Sequence, residues 1–131
     1  MTELNDVMPF GALLGVELDE ASANEVRGGL AWAPEPCTAG GIMHGGALMG
    51  LADSLGGLCA YLNLPEGASG TATIESKTNF FRAVREGRVT AVTRPLHVGR
   101  TLIVVQTDLH DDRGRHVAQV TQTQAVLGGQ S

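Results

Sequence analysis

Residues 40–62 read GGIMHGGALMGLADSLGGLCAYL, and the fold turns on how that stretch divides. It opens as Gly40-Gly41-Ile42-Met43-His44-Gly45-Gly46, glycines around a lone histidine, and runs unbroken into a helical pattern. Leu48, Leu51, Ala52, Leu55, Leu58, Cys59 and Leu62 recur at spacings of three and four, one apolar face of an α-helix. With about 100° of rotation per residue, the opposite face carries Gly46, Gly50, Asp53, Gly57 and Ala60. A solvated face would hold Lys, Glu and Gln; this one is nearly bare, with a carboxylate in its middle. Glycine inside a helix costs roughly 1 kcal/mol relative to alanine. Glycines repeated on one stripe therefore predict the close approach of another backbone or of a ligand. Asp53 is expected to face a crowded cleft rather than water.

Outward from the helix, Asn63-Leu64-Pro65-Glu66-Gly67 is a strong stop signal. Everything beyond it reads as β: strands over 71–81, 88–96, 101–109 and 116–127, with turns at 83–87, 98–100 and 111–114. Upstream, 1–15 is a short amphipathic lead-in, 16–18 opens a first strand, and 25–32 alternates as a second. Pro34 and Pro36 then end any ladder, and 38–44 is the loop feeding the helix. One long helix between a β-segment and four consecutive strands is not a βαβ repeat. Short connections favour an antiparallel meander. The fold class is α+β: an antiparallel sheet curled around one central helix, with a second chain over the helix's bare side.

The chain has 131 residues, read as one domain with a flexible tail over 128–131. Its 43% hydrophobic content suits a globular core. The start, with Glu3 and Asp6 and no basic run, is not that of a signal peptide. Asp53 interrupts the best candidate for a membrane span. Cys37 and Cys59 have neither metal spacing nor a disulfide framework, so the expected setting is the reducing cytoplasm. A net charge of −5 argues against nucleic acid as partner.

The segment His44-Gly45-Gly46 followed by a helix carrying Leu51-Ala52-Asp53 resembles the hotdog-fold thioesterases. The similarity is to the phenylacetic-acid-degradation (PaaI-type) acyl-CoA branch. Thr71-Ala72-Thr73-Ile74-Glu75-Ser76-Lys77-Thr78-Asn79-Phe80-Phe81-Arg82 looks like that family's strand after the helix. Val98-Gly99-Arg100-Thr101 and 111–118 are similar to its closing hairpin, so the resemblance covers about residues 8–127. It implies a hotdog fold, an acyl-CoA substrate and a homo-oligomer, a dimer with shared sites and further a dimer of dimers. It also implies that Asp53 stands at the catalytic carboxylate, Gly45 at the backbone donor to the thioester carbonyl, and Thr73 at a site hydroxyl. Thr38 departs from several relatives, which carry Asn or Gln six residues before the histidine.

Thioester hydrolysis needs a polarised carbonyl, an attacking oxygen and room for the acyl chain. The helix start at Gly45-Gly46 offers unpaired N–H groups at the positive end of the dipole, and lacks a Cβ that would obstruct the acyl group. It is not a phosphate-binding loop, having no GK[ST]. Asp53 serves either as nucleophile, through an anhydride, or as general base on water. His44 is read mainly as an orienting or capping group, with proton transfer as the lesser role. Arg82, Arg85 and Arg100, at strand ends and turns, are candidates for the phosphates of coenzyme A. Met49, Phe80 and Phe81 are candidates for an acyl or pantetheine channel, though core packing accounts for any one of them. His97, His110 and His116 read as turn and surface residues. No metal site is expected, and coenzyme A enters as part of the substrate rather than as a cofactor. Two other functions compete: an acyl-CoA sensor without turnover, and a hotdog hydratase or dehydratase. The acyl group, and coenzyme A against acyl-carrier protein as thiol carrier, stay open.

Overall fold

The computed structural model describes residues 3–128; the first two residues of the lead-in and 129–131 of the expected tail lie outside the described residues. The predicted helix forms as α3, Gly45–Leu62. Its first turn is capped by His44, whose Nδ1 accepts the Gly46 N–H at 2.7 Å. At its other end the Asn63 side chain donates to the Cys59 carbonyl at 2.8 Å and to the Ala23 carbonyl at 2.7 Å, and Pro65 follows.

Six strands make one antiparallel sheet: β1 Glu17–Ala21, β2 Val26–Ala31, β3 Gly70–Phe80, β4 Arg88–Val98, β5 Leu102–His110 and β6 His116–Leu127. The sheet curls around α3, which packs against every strand from β2 to β6. Period-two alternation sets the inner face. Val89, Ala91 and Thr93 of β4, Ile103, Val105, Thr107 and Leu109 of β5, and Val120 of β6 are buried there. They close on Leu51, Ala52, Leu55 and Cys59 of α3, each 0% exposed. Thr93 and Thr107 sit opposite each other in the ladder and satisfy one another, Oγ1 to Oγ1, at 2.7 Å. Helix and sheet meet tightly at Gly28, where an added Cβ would lie 2.5 Å from the Glu17 carbonyl oxygen and 3.2 Å from Leu55.

The strand order is β1-β2-β4-β5-β6-β3, which corrects the expected meander. Residues 83–87 are not a hairpin turn between β3 and β4. β3 instead pairs with β6 at the far edge, and 81–87 carries the chain back to the middle of the sheet. On the way the N–H groups of Phe81 and Arg82 bond the Val117 carbonyl, the Val84 carbonyl accepts from Met43, and the Gly87 carbonyl accepts from Trp32. The connection thus runs under the N-terminal end of α3. Pro95 is tolerated inside β4 because β2 pairs only as far as Thr93, so the missing N–H falls where β4 has no neighbour on that side.

The lead-in folds as two short helices, α1 Glu3–Val7 and α2 Pro9–Leu14; α2 packs on the glycine face of α3, and α1 packs on α2. A Cβ at Gly50 would come within 2.7 Å of Leu14 and 3.1 Å of Phe10. The bare stripe is therefore covered in part by the chain's own N-terminal segment, where a second chain was expected. The buried arc of α3 also differs from the expected one. Ala60 and Ser54 are buried, Leu58 is half-buried and Leu62 is exposed. Among the described residues no helix is long and apolar enough to cross a membrane.

Candidate active site

Asp53 projects from the middle of α3 between the α1–α2 pair and the start of β3. Its side chain is solvent-accessible in the single chain rather than crowded on all sides, but it is firmly held. Thr73 donates its hydroxyl to Asp53 Oδ1 at 2.9 Å, and Gln122 donates Nε2 to the same oxygen at 2.7 Å. Gln124 in turn donates Nε2 to Thr73 Oγ1 at 2.7 Å. Strand geometry brings the four together: Thr73 pairs directly with Gln124, and a bulge between Thr73 and Glu75 interrupts the ladder beside it. Gln122 and Gln124 lie two apart on β6 and so share its inner face, 0% and 1% exposed. None of the ion pairs among the described residues involves Asp53.

A groove of about 770 Å³ opens at this carboxylate. Val7, Met8, Phe10, Leu58 and Tyr61 form much of its wall, with Asp53, Thr73 and Gln124 at its polar end. Gly50 and Gly57 of α3 border it.

At the start of α3, His44 occupies the Gly46 N–H, and the His44 carbonyl accepts from Ala47 at 2.9 Å. The Gly45 N–H has no acceptor among the described residues, and the Phe80 ring lies over this glycine, 3.0 Å from where a Cβ would be. Because His44 Nδ1 accepts a hydrogen bond, a neutral ring carries its proton on Nε2, and the residue is exposed.

The remaining candidates do not gather around Asp53. Met49 is 38% exposed and lies outside the groove. Phe81 packs against His116, ring centres 5.0 Å apart. Thr38 is exposed, its N–H bonded to the Ile42 carbonyl at 2.7 Å. Arg82 and Arg85 are exposed on the 81–87 connection, at the same end of the sheet as Gly45. Arg85 borders a second, polar groove with Arg113 and Arg115. Arg100 is in the β4–β5 turn, at the opposite end of the sheet, so one chain does not bring these arginines together. His116 is more than a surface residue: it is half-buried, bonds Asp108 at 2.9 Å and stacks on His110. Burial alone would raise the Asp108 carboxyl, but donation from Gln119, Gln106 and His116 outweighs it and holds the group below its ordinary range.

Gln122 and Gln124 are absent from the expected site. Their signal was available: in HVAQVTQTQAVL they fall in the same register as Val120 and Val126, two amides on the apolar face of a strand. A buried amide needs partners, and here those partners are the site.

The chain matches the model of the thioesterase superfamily over residues 40–118, more than half its length. It is 39% identical over 87 residues to 1,4-dihydroxy-2-naphthoyl-CoA hydrolase of Escherichia coli, a match covering 66% of this chain and 63% of that enzyme, under two thirds of its length. It is similar in structure to a mutant of thioesterase PA1618 from Pseudomonas aeruginosa, with TM-score 0.89 and 31% identity over 96% of this chain and 92% of that one. A hypothetical thioesterase from Streptococcus pneumoniae, solved with coenzyme A, aligns with TM-score 0.83 and 26% identity over 97% and 99% of the two chains.

Proposed function

We propose, from the premise that this chain belongs to the thioesterase superfamily and has its hotdog fold, that it hydrolyses an acyl-CoA thioester to a carboxylic acid and free coenzyme A. One observation carries the reading: a carboxylate fixed by hydrogen bonds at the mouth of an apolar groove. The groove takes the acyl group, aryl or medium-chain, and sets its carbonyl carbon beside Asp53. The Gly45 N–H, left without an acceptor by the His44 cap, receives the developing oxyanion. Along the base route Asp53 takes a proton from water, the water oxygen bonds the carbonyl carbon, the C–S bond breaks and the proton passes to the thiolate. Along the nucleophilic route Asp53 bonds the acyl carbon and expels the thiolate, and water then splits the anhydride. Neither route calls for a separate cofactor, and two free thiols suit a reducing cytoplasm.

The working enzyme is a homo-oligomer in this reading. Gly45 and Asp53 are eight residues apart on one helix, about 12 Å along its axis, too far to address a single carbonyl. β3 is an edge strand, exposed along most of its length, with one side unpaired. Antiparallel pairing of two β3 edges turns one chain end for end against the other. Gly45 of one copy then approaches Asp53 of the second, and Arg82 and Arg85 come nearer the end that carries Arg100 of the second copy. A further pairing of dimers fits the same family pattern. The test is thiol release from a panel of aryl- and fatty-acyl-CoAs by the wild type and by Asp53→Asn. Turnover by the wild type with a loss of at least about 100-fold in a folded variant supports the reading. Binding without thiol release would make the protein a sensor, and an equally active variant would remove Asp53 from the chemistry.

A further inference from the structure

The hydrogen bonds around Asp53 are lopsided. Thr73 and Gln122 both donate to Oδ1, and no described residue donates to Oδ2. Neither donor is free to turn away. The Thr73 hydroxyl accepts from Gln124, so its own proton is committed towards Asp53. Gln122 is 0% exposed, and an ideal Cβ on Gly56 would lie 1.7 Å from its Oε1. That Oε1 is buried with no hydrogen-bond partner among the described residues. The amide thus leaves an acceptor unsatisfied while its Nε2 holds the carboxylate, a cost that a purely structural glutamine at this inner-face position would not meet.

We infer that Gln122, with Gln124 acting through Thr73, positions Asp53 by anchoring Oδ1, so that Oδ2 is the oxygen that reacts. The inference rests on the thioesterase reading and extends it. Whether Oδ2 takes the proton of water or bonds the acyl carbon, the carboxylate cannot rotate about its terminal bond to present the other oxygen. Gly56 belongs to the same device, because only a residue without Cβ leaves room for the Gln122 amide. The two glutamines are positioning residues: the Gln122 amide acts directly on Asp53, and the Gln124 amide, at the polar end of the groove, acts through Thr73.

The experiment is a double-mutant cycle on thiol release, run with the best acyl-CoA of the panel. Gln122→Met keeps the length of the side chain and removes the donor. It is expected to lower kcat about 10- to 100-fold with KM unchanged, and to have no further effect in the Asp53→Asn background. Gln124→Met, which leaves Gln122 in place, is expected to show the same non-additivity with a smaller loss, and covers the case in which the Gln122 variant fails to fold. Loss of kcat to the same factor in both backgrounds, by a variant with native circular dichroism and native size, overturns the inference and leaves the thioesterase reading intact. An unaltered kcat in both single variants overturns it too. A wild type that cleaves no thioester overturns both readings together.

Discussion

At the scale of single residues, the two cysteines make a contrast that can be measured. Burial pushes the Cys59 thiol up to about 11, with its side chain sealed between α3 and the sheet. Cys37 is half-buried in the loop before α3, its Sγ donating to the Ala33 carbonyl at 3.1 Å. An aromatic disulfide reagent at pH 8 is expected to titrate Cys37 in the native protein and Cys59 only after denaturant is added; rapid native labelling of Cys59 would contradict the packing. The same shift acts on stability. Above the ordinary thiol pKa of about 8.5 the unfolded chain loses a proton that the folded chain keeps. Stability therefore falls as pH rises through the window from there to about 11. Residue chemistry was also the part of the site easiest to read in advance. Asp53 drew notice because it interrupts a stripe of glycine and alanine. The amides that hold it went unnoticed because Gln in a strand of Thr, Gln and Val reads as solvent-facing until the register is counted.

Among the elements, α3 and the β4–β5–β6 strands were recoverable because local pattern decides them: spacings of three and four for the helix, alternation and the turn residues Gly99 and Gly114 for the strands. The place of β3 was not recoverable. A short link ending in Gly87 reads as a hairpin, and only a partner 38 to 57 residues further on, Phe80 against Ala118 to Gly70 against Leu127, draws the strand to the other edge. The glycine stripe announces a close approach without naming what approaches, and at Gly50 it is Phe10 and Leu14 of the chain's own α2. A close approach to backbone at Gly28 makes a prediction about stability. Gly28→Ala would set a methyl 2.5 Å from a backbone oxygen of β1, with Leu55 of α3 behind it. Since neither backbone can give way cheaply, a loss of about 1–3 kcal/mol is expected, read as a lower melting temperature at unchanged helix content; a native melting temperature would show that β1 yields.

For the molecule as a whole, the exposed edge of β3 and, in the proposed reading, the separation of Gly45 from Asp53 both point to a second copy. A two-fold axis through Ser76 would set Glu75 of one β3 opposite Lys77 of the other, a favourable cross-strand pair. Lys77→Glu would then face carboxylates with carboxylates. Light scattering is expected to show dissociation at concentrations at least about 10-fold higher than for the wild type, with thiol release per chain falling in parallel. A variant that stays fully associated would place the interface elsewhere, and a stable, active wild-type monomer would remove the shared site altogether. The sheet order has one more effect, felt while the protein is being made. Among the described residues β6 is the one strand that pairs with β3 within the chain, and it brings both amides that reach Asp53 and Thr73. A nascent chain that has emerged only through β5 holds the whole of α3 and Asp53, yet β3 lacks its partner β6 and Asp53 has neither amide. Contacts so distant in sequence form slowly. The ribosome must therefore release the whole of β6 before Asp53 is held by both amides, so in the proposed reading a chain made only through β5 is not yet active.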